Sequence, residues 1–488
     1  MSSRMLLLVG LLPLLALIYT QLSRVSLWEL ASRRSVALDP NERPRVIMAS
    51  TPAFSHMEKI TSIAEGLIRL GYPVSFITGP DFKDYIQSIG ATYIPIEGRG
   101  PGMIPEDQMP TFLSLQGPEL EIFSFNTIFS DEIPAQHRTL QRTFEEIREA
   151  HGQSQPLIYI ADMSFGGLAP VWLGAPGILP DVAISIGVAP YAAASNDTFP
   201  FQSGRHPDTS TESKRIHFEA QQERYSTYPD KEWNAYAQKT LKDLGAVKSF
   251  PSMFDMFTTG SDIHLQYGVP EFEYPRSDLR PNLKFVGAPV SVGVVDRILP
   301  DWWDDVVQAK KAGKHIVAVT QSTVVFDNTA LIIPALEAFQ DREDVFVVAT
   351  LVTADVQQLD YQIPTNARVA KFIPLDLVLP HTSILITNGG YGTIQQALAA
   401  GVPMIVSGIG QDKTHTGGII NYVGNGIYNP VFHTNSKMLG DAYEEILRNK
   451  TYRNTAEAIA KEYKKYNAVQ ITDATIQQVL RGEYRFER

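Results

Sequence analysis

The segment "ITNGGYGTIQQALAAGVPMIV", Ile386–Val406, sets glycines and a threonine between an apolar, strand-like run and a helix-like one. Glycine lets backbone approach a ligand closely, and a helix beginning just after such a turn aims unpaired N–H groups and a partial positive charge at one point. A phosphate is the natural occupant of that point. Three further groups follow apolar runs in the same half of the chain: Gln321-Ser322-Thr323, Phe372-Ile373-Pro374 and Gln411-Asp412-Lys413. The hydroxyls of Ser322 and Thr323, the close backbone of Gly389, Gly390 and Gly392, and Thr393 opening the helix together suit a diphosphate held without metal. Taken alone, the turn is equally well a tight strand-to-helix connection with an N-cap.

Bringing these groups to one edge requires a scaffold in which strands and helices alternate, and the chain has that pattern. In its first half "RVIMAS" reads as a buried strand. A helix over about 57–70 follows, with Ile60, Ile63, Ala64, Leu67 and Ile68 on one stripe. The alternation continues through "YPVSFIT", "DFKDYIQSIG", a helix over 136–150 and the strand "PLIYIAD", with irregular or helical insertions over 104–129 and 196–249. Around 288–299 Gly, Pro and Val crowd together and the alternation starts afresh with "HIVAVTQS". Strand–helix alternation implies parallel sheets covered on both faces. The expected organisation is a membrane segment and linker over 1–44 and two doubly wound, Rossmann-like domains over 45–290 and 291–488. The last helices are free to cross back. Open α/β sheets bind ligands beyond the carboxyl ends of their strands, so two facing halves make one cleft.

Composition removes several function classes. The 488 residues suit two or three domains, and a net charge of −11 with no basic block in the globular part argues against nucleic acid. There is no cysteine, which excludes disulfides, thiolate nucleophiles and Cys-ligated metals. No G-x-G-x-x-G follows the first strand and no G-x-x-x-x-G-K-[ST] occurs, against a dinucleotide oxidoreductase and a P-loop ATPase. The chain also lacks D-x-D and any H-x-x-x-H spacing, so no metal is expected at the site. At the N-terminus, "MLLLVGLLPLLALIY", extended by Thr20–Leu22, meets a membrane; it falls short of the ~20 residues that span one comfortably. Basic residues accumulate after it (Arg24, Arg33, Arg34), which favours an uncleaved single-pass anchor over residues 5–22, in the endoplasmic reticulum with the catalytic part cytosolic. The alternative is a cleaved signal and the secretory pathway.

The run Ala367–Lys413, from "ARVAKFIP" through "NGGYGT" and "ALAAGVPM" to "DK", resembles the donor-binding signature of the UDP-glycosyltransferases of GT-B fold. "RVIMASTPAFSHMEKITSIAEGL" is similar to that family's opening strand, histidine and helix. The resemblance implies that His56 is the general base and that Asp162, ending "IYIAD", orients it. An acceptor hydroxyl needs such a base, and a buried carboxylate steadies the imidazolium that forms. The plainer role for both is helix capping. The resemblance further implies that Ser322, Asn388, Gly390 and Thr393 hold the diphosphate and that Phe372 and Ile373 hold the base. Gln396 would hold the ribose, and Asp412 with Lys413 the sugar hydroxyls. Asn388 stands where the family most often has histidine, Lys413 where it has glutamine, and the Gly and Pro that usually flank the first histidine are missing from "FSHMEK".

The expected activity is inverting, metal-independent transfer of a hexose, glucose first, from a UDP-sugar co-substrate to a hydroxyl of a small lipophilic acceptor, with no bound cofactor. The aromatic stretches "IFSFNTIF" and "FPSMFDMF" are candidates for the acceptor pocket and equally for ordinary core. Two other readings share the architecture: a nucleotide-sugar epimerase, and a non-catalytic partner of another glycosyltransferase.

Overall fold

The computed structural model describes residues 43–152, 155–289, 299–321, 327–352, 355–484 and 486. Two parallel sheets organise them. The first contains β1 (Val46–Ala49), β2 (Val74–Thr78), β3 (Thr92–Pro95), β4 (Ile158–Asp162), β5 (Val182–Gly187), β6 (Ile263–Gln266) and β7 (Leu283–Phe285), in the order β3-β2-β1-β4-β5-β6-β7. The second contains β8 (His315–Thr320), β9 (Val345–Thr350), β10 (Ala367–Ala370), β11 (Ile384–Thr387), β12 (Met404–Ser407) and β13 (Gly426–Asn429), in the order β10-β9-β8-β11-β12-β13. Strands such as "VIMA", "VFVVAT" and "MIVS" are apolar and buried throughout because helices cover both faces of each sheet. In both sheets the chain winds outward and then returns to the other side of its first strand. The reversals fall between β1 and β4 and between β8 and β11, the places where such sheets leave a crevice at their carboxyl ends.

Six helices position the site and tie the sheets together: α1 (Phe54–Arg69), α2 (Gly117–Phe125), α3 (Met253–Thr259), α4 (Tyr391–Ala399), α5 (Lys413–Val423) and α6 (Ala468–Leu480). α1 buries Ile60, Ile63, Ala64 and Leu67 without exposure, in the core that also holds Val46, Met48 and Phe76. It starts at Phe54, three residues before the sequence pattern suggests, so His56 lies in its first turn rather than ahead of it. α4 likewise begins at Tyr391, which makes Thr393 its third residue and not its first, with Gly390 as the N-cap. The insertions over 104–129 and 196–249 are helical for much of their length.

The sheet units exchange parts. α6, the last helix, packs on α1 of the first unit, so closely that a Cβ on Gly66 would lie 2.3 Å from a Val469 methyl, and Ile476 joins the first core. Tyr72 donates to Asp473, and Lys284 reaches Thr475 and Gln478 at 3.1 and 2.9 Å. In the other direction Tyr391 of α4 belongs to the first core, whereas Val269 and Phe272, just past β6, belong to the second. The expected boundary at 290/291 and the apolar run 5–22 both fall outside the described residues. Among the described residues no helix is long and apolar enough to cross a membrane.

Candidate active site

At the first reversal two side chains meet. Asp162 is the last residue of β4, which pairs in parallel beside β1, and α1 follows β1 after a short loop. His56 Nδ1 lies 2.8 Å from Asp162 Oδ2. The carboxylate also accepts the Thr51 N–H at 3.2 Å, the Ser164 N–H at 2.9 Å and the Ser164 hydroxyl at 3.0 Å. Ser164 Oγ in turn lies 3.0 Å from the Thr51 hydroxyl. Burial pushes the Asp162 carboxyl up. The His56 charge and hydrogen bond, with the two bonds from Ser164, outweigh burial and leave it below the ordinary aspartate value. An ionised carboxylate only accepts, so Nδ1 of His56 is the donor in this bond, and in the neutral form of the ring the lone pair is on Nε2. The Asp162 side chain is fully buried while that of His56 is 20% exposed, open to a reactant. Neither residue caps a helix: Ala53 is the N-cap of α1, and Asp162 spends its oxygens on Thr51, His56 and Ser164.

At the second reversal the materials differ. Asn388, buried at the end of β11, is followed by Gly389 at φ +97°, where a Cβ would meet a Val406 methyl at 2.8 Å. Gly389 does not line the cleft; its carbonyl accepts the Thr416 hydroxyl at 2.9 Å, and its conformation turns the chain into α4. After β12 the backbone returns against the turn, since a Cβ on Gly408 would lie 2.2 Å from the Asn388 carbonyl oxygen. Asp412 accepts the Tyr391 N–H at 2.8 Å, taking one of the donors at the start of α4. Lys413 is buried, its ammonium lowered by desolvation against the opposing pull of Asp412, and it donates to Gln411 at 2.6 Å. Gln321 donates to Asn328 at 3.1 Å, and Ser322 and Thr323 lie outside the described residues.

One cleft of about 820 Å³ joins the two ends. Its walls include His56, Lys59 and Ser164 from the first sheet unit, and Phe372, Ile373, Asn388, Gly390, Gly392, Thr393, Gln396, Asp412 and Lys413 from the second. Phe372 meets Phe54 of α1 edge to face at 6.4 Å, so the two rims touch. The arrangement places the imidazole of His56 across the cleft from the glycine turn and the start of α4.

UDP-glucosyltransferase avaP of Aspergillus versicolor is 34% identical over 435 residues, covering 87% of this chain and 94% of that protein. This chain belongs to the UDP-glycosyltransferases of GT-B fold. UDP-glucosyltransferase B1 of Starmerella bombicola is 30% identical, with 90% and 99% of the two chains covered. Residues 335–470 match the family described as erythromycin biosynthesis protein CIII-like, C-terminal domain. Among solved structures, the glycotransferase of kitacinnamycin superposes with a TM-score of 0.61 at 16% identity, over 90% of this chain and 99% of that one. The glycosyltransferase VinC in complex with DTDP gives 0.58 at 20%, over 90% and 99%. These neighbours establish the two-sheet GT-B architecture. The UDP-glycosyltransferase transfers sugar from a nucleotide sugar to a small-molecule acceptor.

Away from the glycine turn, the cleft of this UDP-glycosyltransferase is walled by rings from both aromatic stretches. Phe125 of α2 stacks on the buried Trp233 at 4.3 Å and meets Phe254 of α3 edge to face at 5.8 Å; Phe129 meets Phe257 at 5.5 Å. The four phenylalanines line the cleft, whereas Phe250 is buried and does not, so the second stretch divides between pocket and core. Glu121, Ser124 and Gln202 interrupt this wall. Glu121 has its carboxyl pushed up by burial, against the Arg224 charge. Gln202, in the left-handed region at φ 68°, is held by Arg224 through its Oε1 at 2.6 Å.

Sequence reasoning missed Lys59, Ser164, Tyr391 and this Glu121–Gln202 pair. Lys59 left a signal, a lone charge four residues before Ile63 on the apolar face of α1. Ser164 left one too, a hydroxyl two residues after a strand-ending aspartate, where Asp and Ser side chains commonly meet local N–H groups.

Proposed function

We propose that the enzyme is an inverting, metal-independent hexosyltransferase that moves glucose from UDP-glucose to a hydroxyl of a small lipophilic acceptor. The observation carrying this reading is the His56–Asp162 pair opening into the same cleft as the Asn388–Thr393 turn. His56 Nε2 takes the acceptor proton as the hydroxyl oxygen attacks the anomeric carbon from the face opposite UDP, and Asp162 stabilises the imidazolium. Charge growing on the departing diphosphate is met by N–H groups at the start of α4 and by the Thr393 hydroxyl, groups already in place before reaction. Phe372 and Ile373 flank the uracil, Gln396 the ribose, and Lys413 the sugar. Asp412 has a role the sequence reading did not include: its bond to the Tyr391 N–H braces the turn. The aromatic wall from α2 and α3 supports a lipophilic acceptor, and the N-terminal apolar run supports an enzyme held at a membrane with its catalytic part cytosolic.

The test is incubation of the full chain with UDP-glucose and a panel of lipophilic alcohols and phenols, with and without EDTA. A β-linked product formed from the α-linked donor, at the same rate in EDTA, is expected. An α-linked product would overturn inversion, a saturable Mg²⁺ requirement would overturn metal independence, and a sugar isomer released without acceptor would replace transfer by epimerisation.

A further inference from the structure

Lys59 sits in an electrostatically incomplete place. It lies on the buried face of α1 with 4% exposure, lines the cleft, and donates to the Ser55 carbonyl one turn back. Its ammonium crosses to the other sheet unit: a Cβ on Gly392 would lie 2.8 Å from Nζ and 2.9 Å from Cε. Gly392 is the second residue of α4, so the ammonium is packed against the positive end of a helix, where a cation is disfavoured. Among the described residues no carboxylate comes within 4.0 Å of Nζ; Glu58, Asp412 and Asp162 act on it only over longer distances. Desolvation by burial is the largest influence on this ammonium and lowers its pKa. Two positive features forced together in a desolvated cleft are satisfied at once by an anion placed between them. Neighbouring Asn388 supplies a hydrogen bond but no charge.

We propose that Lys59 reaches across the cleft from the acceptor side and supplies the positive charge that holds and neutralises the donor's diphosphate at the start of α4. The inference rests on the donor site described above. In the transfer, the bond from the anomeric carbon to the diphosphate oxygen breaks and its electron pair stays on that oxygen, while the acceptor oxygen bonds the same carbon and its proton passes to His56. Lys59 remains protonated throughout and donates a hydrogen bond to the oxygens gaining charge. Because it rides on α1, three residues after His56, one helix would carry both the base and the leaving-group charge.

The experiment compares affinities for UDP and for uridine in wild type, Lys59→Gln, Lys59→Met and Lys59→Arg, with melting temperatures recorded alongside. The expected result is about a ten- to hundredfold loss of UDP affinity in the Gln and Met variants, the range for a hydrogen bond to a charged group, with uridine affinity unchanged. The Arg variant should recover part of the loss, and kcat with UDP-glucose should follow the same order. An unchanged ratio of UDP to uridine affinity in Gln and Met would overturn the proposal. A purely structural lysine would lower both affinities together, and that result would overturn it as well. In wild type, the Lys59 ¹⁵Nζ resonance should move on adding UDP and stay with uridine; a resonance unmoved by UDP overturns the proposal without any variant. If wild type binds uridine but gains nothing from the diphosphate, the donor cradle itself is misplaced and Lys59 falls with it.

Discussion

At the β1/β4 reversal the cleft wall is made of side chains, and at the β8/β11 reversal it is made largely of backbone. The first holds an imidazole, a buried carboxylate and two hydroxyls in a closed hydrogen-bond network; the second holds a left-handed glycine, a helix start and a strand-end loop pressed against it. In the proposed mechanism the same topology serves two chemistries. A proton acceptor must be a titrating side chain whose surroundings set its tautomer, whereas a diphosphate that arrives with its charge already formed is met by fixed N–H dipoles. Substitutions should follow this division, changing turnover at the first reversal and donor affinity or folding at the second.

The largest effect is expected at the imidazole. His56→Ala should lower turnover by roughly 10²-fold or more while UDP affinity, measured by titration calorimetry, stays near wild type. Unchanged turnover would dissolve the contrast between the two ends. Asp162→Asn should lower kcat by a smaller but comparable factor and leave donor KM alone. It also carries a pH signature. The Asp162 carboxyl is depressed in the folded protein, so its ionised form contributes stability that is present above the ordinary aspartate range of ~4 and is lost as pH falls through the lower folded-state value. The difference in unfolding free energy between wild type and Asp162→Asn should thus be widest near neutrality and narrow below about pH 4.

The second end is sharpened by two adjacent glycines. Gly389→Ala places a side chain at φ +97° and against Val406, and should cost stability by about 1–2 kcal/mol or more from backbone strain alone. At Gly390 φ is −59° and a Cβ would meet no atom within 4 Å. Gly390→Ala should therefore fold nearly as well as wild type and show its effect in weaker UDP binding, because only a ligand would occupy that space. Equal UDP affinity in wild type and Gly390→Ala would move the diphosphate away from the turn. Tyr391→Phe should be milder: the hydroxyl donates to the Tyr267 carbonyl and accepts from Gln266 at 3.1 Å, and its loss should cost about 1 kcal/mol in chemical denaturation with kcat nearly unchanged.

The scaffold was legible because parallel α/β sheets announce themselves through fully apolar strands and one-sided helices, as in "VFVVAT" and the Ile60–Leu67 stripe. Helix starts were less so. In "AFSH" the natural capping residue, Ser55, falls inside the helix, and "GGYG" offers only glycine; α1 and α4 each begin earlier than periodicity indicates, with Ala53 and Gly390 as N-caps. That shift matters to the site, since it puts His56 and Thr393 inside helical turns. Contacts between distant segments were not legible at all. Lys59 against Gly392 depends on how the two units face each other, and Asp412 on the Tyr391 N–H and Arg224 on Gln202 depend on how separated segments pack within one unit, which no local pattern encodes. The charge of Lys59 was visible on an apolar face, but its destination was not.

The return of α6 to α1 bears on how the chain is made. Translation delivers β1 through β7 before the second sheet, yet the surface around Gly66, Tyr72 and Lys284 is completed by Val469, Asp473, Thr475 and Gln478, which follow that sheet in the chain. The first sheet unit therefore leaves the ribosome with one flank of α1 uncovered until residues 468–480 follow. Any hybrid enzyme that joins this unit to the second sheet unit of a relative must bring residues 468–480 with it, or redesign both sides of that flank.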